Sequence, residues 1–149
     1  MDAVLFRKIV VEKAIQDFID NPYDLKEACS AAWTLDAYAS YIYLATKHGR
    51  GYARDSRFKE DYLASRDRDF LAVFHASTAL KHAELSDKNK TIKKAGDIYV
   101  TYLDGFAWYF SGASDIGYQV IIQNDNFLFT SLNDAVPRAL EFLDTFLSS

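Results

Sequence analysis

The sequence has little of what marks a secreted, membrane-spanning or nucleic-acid-binding protein. Its 149 residues include one cysteine, Cys29, so no intramolecular disulfide and no cysteine-based zinc cage can form. Lysine and arginine total 17 against 21 acidic residues, and this net charge of −4 disfavours binding along a phosphate backbone, although a local basic patch stays open. Charges interrupt the first twenty positions, and no apolar run approaches the ~20 residues that cross a bilayer. We therefore expect a cytoplasmic protein with no membrane association.

The motifs of common enzyme classes are also missing. There is no phosphate-binding glycine loop, no dinucleotide fingerprint and no serine-nucleophile elbow. No His-x-x-x-His or Glu-x-x-His spacing suggests a metal site, and Cys29 lies on an apolar helix face, where a small hydrophobic role is favoured. We therefore predict no cofactor and no metal, and the composition leaves open whether the protein is an enzyme.

What is present is an apolar content of 50%, arranged mostly at helical spacing. In the first segment, Val4, Leu5 and Ile9 join later apolar residues on what the spacing predicts is one buried face. Asp24, followed three residues later by Glu27, resembles a capping box that starts the second helix. The predicted helices cover residues 3–19, 24–48, 57–63 and about 66–85. Short connections favour an antiparallel bundle, and Gly49 is placed to end the second helix in a left-handed conformation.

The C-terminal part has a different pattern. Residues 86–96 read as an exposed basic loop, and β-branched and aromatic residues then predict strands at 98–103, 106–110, 118–123 and 127–130. Asn124-Asp125-Asn126 resembles a hairpin connection. A closing helix spans 133–147, with Pro137 in its first turn. The predicted fold is α+β and mostly α: one domain, 1–149, with three to four antiparallel helices in 1–85, a small antiparallel sheet in 97–130 and the closing helix.

Three residues on the fourth predicted helix could carry chemistry. Arg68, His75 and His82 are seven residues apart, so on a helix they form a nearly straight stripe with about 10.5 Å between neighbours. An arginine could hold a phosphate, and an imidazole can exchange a proton near neutral pH. The alternative is that Arg66, Asp67, Arg68 and Asp69 are the solvated start of a helix and that both histidines only cap or pack.

The string from Arg68-Asp69 to His75 resembles the signature of the HEPN superfamily, helical domains found in many prokaryotic defence and toxin systems. The resemblance implies metal-independent RNA cleavage at a dimer interface, and many members instead bind nucleotides or partners. Carried over, it implies that Arg68 holds the phosphate, that His75 assists proton transfer and that Asp69 is the polar position, with His82 in support. It covers roughly the first 85 residues, and the β-rich segment departs from the family pattern.

Asp36 is a second candidate, because it lies among apolar residues of the second helix. If it faced Arg68 or His75 across the bundle it would orient them; the favoured alternative is a solvent-facing residue or a structural ion pair.

Aromatic residues make up 15% of the chain and include Tyr38, Tyr41, Tyr43 and the run 106–110. Most of them are expected in the core, and the functional alternative is a protein contact such as an isologous dimer.

Two functions follow from these observations. The first is a non-enzymatic binding or assembly module that forms a homodimer, with a further protein partner possible. The second is the HEPN-like ribonuclease or nucleotide-binding domain, and only this alternative involves RNA or a nucleotide.

Overall fold

A computed structural model of the chain describes residues 1–82, 95–103, 117–123 and 129–147. Helix α1 is made of Ala3–Phe6, a π-helical stretch Arg7–Val11 and Glu12–Asp20. The bounds of the next three helices are Leu25–Ala45 for α2, Asp55–Arg57 with the π-helical Phe58–Leu63 for α3, and Arg68–His82 for α4.

The β-part is an antiparallel sheet of β1 (Ile98–Leu103), β2 (Gly117–Gln123) and β3 (Phe129–Ser131), in that order. Ile98 of β1 pairs with Ile122 of β2, and Val100 pairs with Val120. Helix α5, Leu132–Asp144, follows β3 directly and packs on β2 and on α4. The structure thus confirms the predicted fold, which is α+β and mostly α. The predicted strand 106–110 and the hairpin connection 124–126 lie outside the described residues, as does most of the predicted loop 86–96.

The core is organised around α4, which packs between α2 and α5. In its middle, the four consecutive residues Ala72, Val73, Phe74 and His75 are all buried although they point to different sides of the helix. A helix that is apolar on every side is buried on every side, and α4 follows this rule. Any polar residue in its central turns is therefore buried as well.

The prediction for α1 is wrong in its phase. Val4, Leu5 and Ile9 are exposed, whereas Ala3, Val11, Ile15 and Phe18 are buried. The cause is the π-helical stretch Arg7–Val11, which puts more than 3.6 residues into a turn and so rotates the residues before it relative to those after it. A single 3.6-residue period does not describe this helix.

The end of α2 also differs from the prediction. The Asp24 side chain accepts hydrogen bonds from the amides of Lys26 and Glu27, as expected of a cap, but the helix ends at Ala45. Gly49 has no left-handed conformation; it begins a short 3₁₀ turn. A glycine is required there because a Cβ atom would lie 1.9 Å from the carbonyl oxygen of Tyr43. The close approach of the backbone at Tyr43 is thus the reason for a glycine at position 49.

Helix α5 begins at Leu132, one or two residues before the predicted start. Pro137 consequently lies in the second turn and not among the unpartnered donors of the first. Because proline has no amide hydrogen, the helix lacks the bond that this position would otherwise donate.

Candidate functional site

The stripe of Arg68, His75 and His82 lies on an unbroken helix, because α4 is continuous over Arg68–His82. The two end members are exposed, and His75 between them is 4% exposed. Its ring lies beside that of Phe74, at a centroid distance of 5.9 Å. The three groups therefore share a side of one helix, but solvent reaches only the outer two.

The residues around Arg68 form the start of α4. Asp67 caps the helix, since its carboxylate accepts the amide hydrogen of Phe70 at 2.6 Å. Asp69 is half-buried. Burial is the main reason why the pKa of its carboxyl lies above the ordinary value, and the negative charge of Asp67 raises it further. The positive charges of Arg138 on α5 and of Arg68 lower this pKa by less. Asp69 thus turns towards α5, while Arg68 faces solvent.

Asp36 is buried, at 2% exposure, and takes part in a network that joins three helices. Its Oδ1 accepts a hydrogen bond from Lys59 Nζ of α3 at 2.7 Å. Its Oδ2 accepts one from Ser77 Oγ of α4 at 2.9 Å and another from the ammonium of Lys81, one turn further along α4. The carboxylate does not orient Arg68 or His75; the favoured alternative, a structural ion pair, is the observed arrangement.

Electrostatics keep this buried carboxylate ionised. Burial raises the pKa of Asp36, but Lys59 and then Lys81 lower it by more, so the pKa lies below its ordinary value. Lys59 is itself buried and has a second partner, Asp55 Oδ2, at 3.2 Å, which also accepts a hydrogen bond from Ser40. Burial likewise raises the pKa of Asp55, and Ser40 and Lys59 together lower it below the ordinary value. Two carboxylates and two ammonium groups are thus balanced in charge.

A second region is the outer side of the α1–α2 pair, which is apolar. The ring of Phe6 stacks on that of Tyr41, with centroids 4.3 Å apart, and this fixes how the two helices lie side by side. Ile9, about one turn after Phe6, is exposed, and so are Trp33, about two turns before Tyr41, and Leu44 at the end of α2. We call this surface the α1–α2 face; its members are Leu5, Phe6, Ile9, Val10, Trp33, Ala37, Tyr41 and Leu44.

The α1–α2 face is unusual because α2 contributes no charge to it. Between positions 28 and 46 the only Asp, Glu, Lys or Arg is Asp36, which is buried. A helix at a protein surface normally carries charged residues on its outer side. The helical spacing of the apolar residues in this segment predicts Trp33 on the packed face of α2, but 45% of it is exposed. The missing charges were the signal that could have located this surface.

Other kinds of site find no support. Among the described residues, no group of three His, Cys, Asp or Glu side chains is placed to bind a metal ion. Within the same ranges, no helix is both long and apolar enough to cross a membrane. Burial raises the pKa of the Cys29 thiol, which keeps it protonated and weakly reactive.

Comparison with known proteins adds no family assignment. No protein-family model matches the sequence, and no curated protein and no solved structure matches it. The resemblance of Arg68, Asp69 and His75 to the HEPN signature accordingly stays a prediction. Function has to be argued from the geometry of this chain.

Proposed function

We propose that this protein is an assembly module that forms a homodimer through the α1–α2 face. The observation that supports this is the apolar outer side of α2, where Trp33 and Leu44 are exposed and no charged residue accompanies them. A helix with apolar residues all round is normally buried on all sides. A second copy supplies the missing cover with a surface that is also apolar and uncharged.

The spacing along α2 suits a twofold contact between two copies of this helix. If two antiparallel copies cross at Ala37, the twofold axis passes through this crossing. Trp33 of one copy then faces Tyr41 of the other, because both lie four residues from Ala37. In the same way Leu44 faces Ser30, each seven residues from it. A small residue at the crossing allows close approach, and large side chains meet smaller or flat ones. An isologous contact requires this kind of self-complementarity.

The exposed area indicates how strong such a dimer can be. Leu5, Ile9, Trp33 and Leu44 are 44%, 56%, 45% and 74% exposed. At about 1.5–3 kcal/mol per fully buried apolar side chain, covering these residues on both copies contributes roughly 7–13 kcal/mol. Association itself costs about 4–15 kcal/mol, so the net gain is at most about 9 kcal/mol and the dimer is weak. A net gain of about 5.5–8 kcal/mol, towards the favourable end of this range, corresponds to a dissociation constant of about 1–100 μM.

Sedimentation velocity over about 1–200 μM protein tests the proposal. The wild-type chain is expected to change from monomer to dimer in this range. Leu44→Lys should raise the dissociation constant at least tenfold, because it buries an ammonium in an uncharged contact. The monomer tolerates this change, since Leu44 is an exposed residue near the carboxyl end of a helix, where a positive charge is favourable.

Val4→Lys is the matched control. The substitution introduces the same charge at a residue that is 64% exposed. Val4 lies on the side of α1 turned away from α2 and outside the α1–α2 face. Its dimerisation should equal that of the wild type. A wild-type chain that stays monomeric at 200 μM would refute the proposal, and equal effects of the two substitutions would refute the location of the contact.

The ribonuclease or nucleotide-binding domain is the second candidate function. It is favoured by the continuity of α4, which carries Arg68, His75 and His82 on one side. A substrate phosphate can reach Arg68 from solvent. The buried ring of His75 offers it almost no surface, so general acid or base action by His75 would first require displacement of the groups that cover α4.

A further inference from the structure

A cleft beside the carboxyl end of α2 is separate from both regions described above. Its volume is about 290 Å³, and its walls are Ala45, the last residue of α2, the next three residues 46–48, and Phe146 and Leu147, which follow α5. None of these residues belongs to the α1–α2 face or to the stripe on α4. The volume is near the lower end of the range for ligand pockets, so it suits a molecule of about ten non-hydrogen atoms.

The most reactive group in the cleft is the imidazole of His48. Its Nδ1 lies 3.0 Å from the hydroxyl of Tyr62, and the two rings are stacked with centroids 5.5 Å apart. The ring of Phe146 contacts both, edge-to-face with His48 at 6.0 Å and tilted against Tyr62 at 6.1 Å. Two aromatic neighbours and one hydrogen bond hold the ring in a fixed orientation. Its second nitrogen, Nε2, has no hydrogen-bond partner in the part of the chain that the structure describes.

Tyr62 determines which ring nitrogen carries the proton. The guanidinium of Arg66 lies over the Tyr62 ring, 3.8 Å from its centroid, and donates a hydrogen bond to the Tyr62 carbonyl oxygen at 2.9 Å. When the Tyr62 hydroxyl donates to Nδ1 of His48, the imidazole hydrogen is on Nε2. His48 therefore offers an N–H donor to a ligand even when the imidazole is neutral.

A second cationic group accompanies this donor. Lys47 is exposed and forms no ion pair with any residue that the structure describes. The negative end of the α2 dipole lies nearby and disfavours an anion, and Lys47 with His48 offsets it. Ala45, Phe146 and Leu147 add apolar surface to the lining of the same cleft. The cleft thus combines a positive charge and an N–H donor with apolar surface.

We propose that this cleft binds a small organic monoanion, namely a carboxylate attached to an aromatic or branched aliphatic body. The carboxylate accepts hydrogen bonds from Nε2 of His48 and from the Lys47 ammonium, and the body packs on Phe146 and Leu147.

Three ligands with one aromatic ring and different charges test the proposal: benzoate, benzamide and benzylammonium. Each is titrated into ¹⁵N-labelled protein and followed through backbone amide shifts. Benzoate should shift the amides of Lys47, His48 and Leu147, with a dissociation constant of about 1 mM, as expected for a fragment of this size. Benzamide should bind at least threefold more weakly, and benzylammonium should leave these amides unchanged up to 10 mM.

Substitutions separate the contributions of charge and orientation. Lys47→Gln should weaken benzoate binding at least threefold and bring it to the level of benzamide. Tyr62→Phe removes the hydroxyl that orients His48 and should weaken benzoate more than benzamide. Lys26→Gln is the matched control, since Lys26 is an exposed lysine at the other end of α2, about 28 Å from Ala45 along the helix, and it should have no effect.

Several results would overturn the proposal. These are equal binding of benzoate and benzamide, shifts confined to other parts of the chain, or an undiminished affinity in Lys47→Gln. Because Lys47 is exposed, Lys47→Gln leaves the fold intact, and an unfolded variant cannot obscure the outcome. No cleft residue lies in the proposed dimer contact, so this result and that of the dimer experiment can be told apart.

Discussion

Replacing Lys59 with methionine should destabilise the fold more than any other substitution of a lysine in the described part of the chain. The Lys59 ammonium is buried and lies 2.7 Å from Asp36 and 3.2 Å from Asp55. Methionine fills a similar volume, so little cavity is created. What changes is that the Asp36 carboxylate, with 3% of its side chain exposed, loses its most buried counter-charge. Breaking a buried ion pair in this way costs about 3–5 kcal/mol.

Urea denaturation at pH 7 measures this loss, and two further lysines provide the scale. Lys81 contacts the same carboxylate, but 49% of its side chain is exposed, so Lys81→Met should cost about 1 kcal/mol or less. Lys13 pairs with Asp17 on the surface of α1, with 74% of its side chain exposed, and Lys13→Met should have the smallest effect of the three because solvent screens the pair. The expected order of destabilisation is therefore Lys59, then Lys81, then Lys13.

A double substitution checks the cause. If Lys59→Met is harmful because it leaves a buried charge without its partner, adding Asp36→Asn should restore roughly half of the lost stability. Should Lys59→Met cost no more than Lys81→Met, or should Asp36→Asn simply add its own loss, burial of the charge pair would not be what stabilises this part of the fold.

Three further predictions concern other groups. Since the pKa of Asp36 is lowered in the folded state, the stability that it contributes is present above about pH 4 and is lost as the pH falls through the folded pKa; unfolding free energies between pH 7 and 2 should therefore fall more steeply for the wild type than for Asp36→Asn. Gly49→Ala should cost about 1–3 kcal/mol in urea denaturation because its Cβ would overlap the Tyr43 carbonyl, whereas Gly51→Ala, with open space, should stay within about 0.5 kcal/mol of the wild type. If the ribonuclease candidate is right, RNA cleavage that persists with a chelator should be lost in Arg68→Ala, an exposed site; no cleavage by the wild type would eliminate this candidate.

Local signals in the sequence were enough to find most elements but not their surroundings. The cap at Asp24 and the β-branched run of β1 act over a few residues, so they could be recognised from the sequence. The partners of Asp36 come from Lys59 and Lys81, which are 23 and 45 positions further along the chain, and no local pattern relates them. His75 could be placed on the correct side of its helix, but its burial depends on what packs around that helix.

Helices α2 and α4 are both nearly free of charged residues in their central turns, but the fold buries them to different extents. From positions 70 to 80, α4 has no Asp, Glu, Lys or Arg, and from 28 to 46 α2 has only Asp36. Both patterns predict a helix that is covered on every side. For α4 the chain itself provides the cover, through α2 and α5, and even His75 is buried. For α2 it does not, since Trp33 and Leu44 stay exposed. The difference between two equally apolar helices therefore favours a contact outside the single chain as the missing cover of α2.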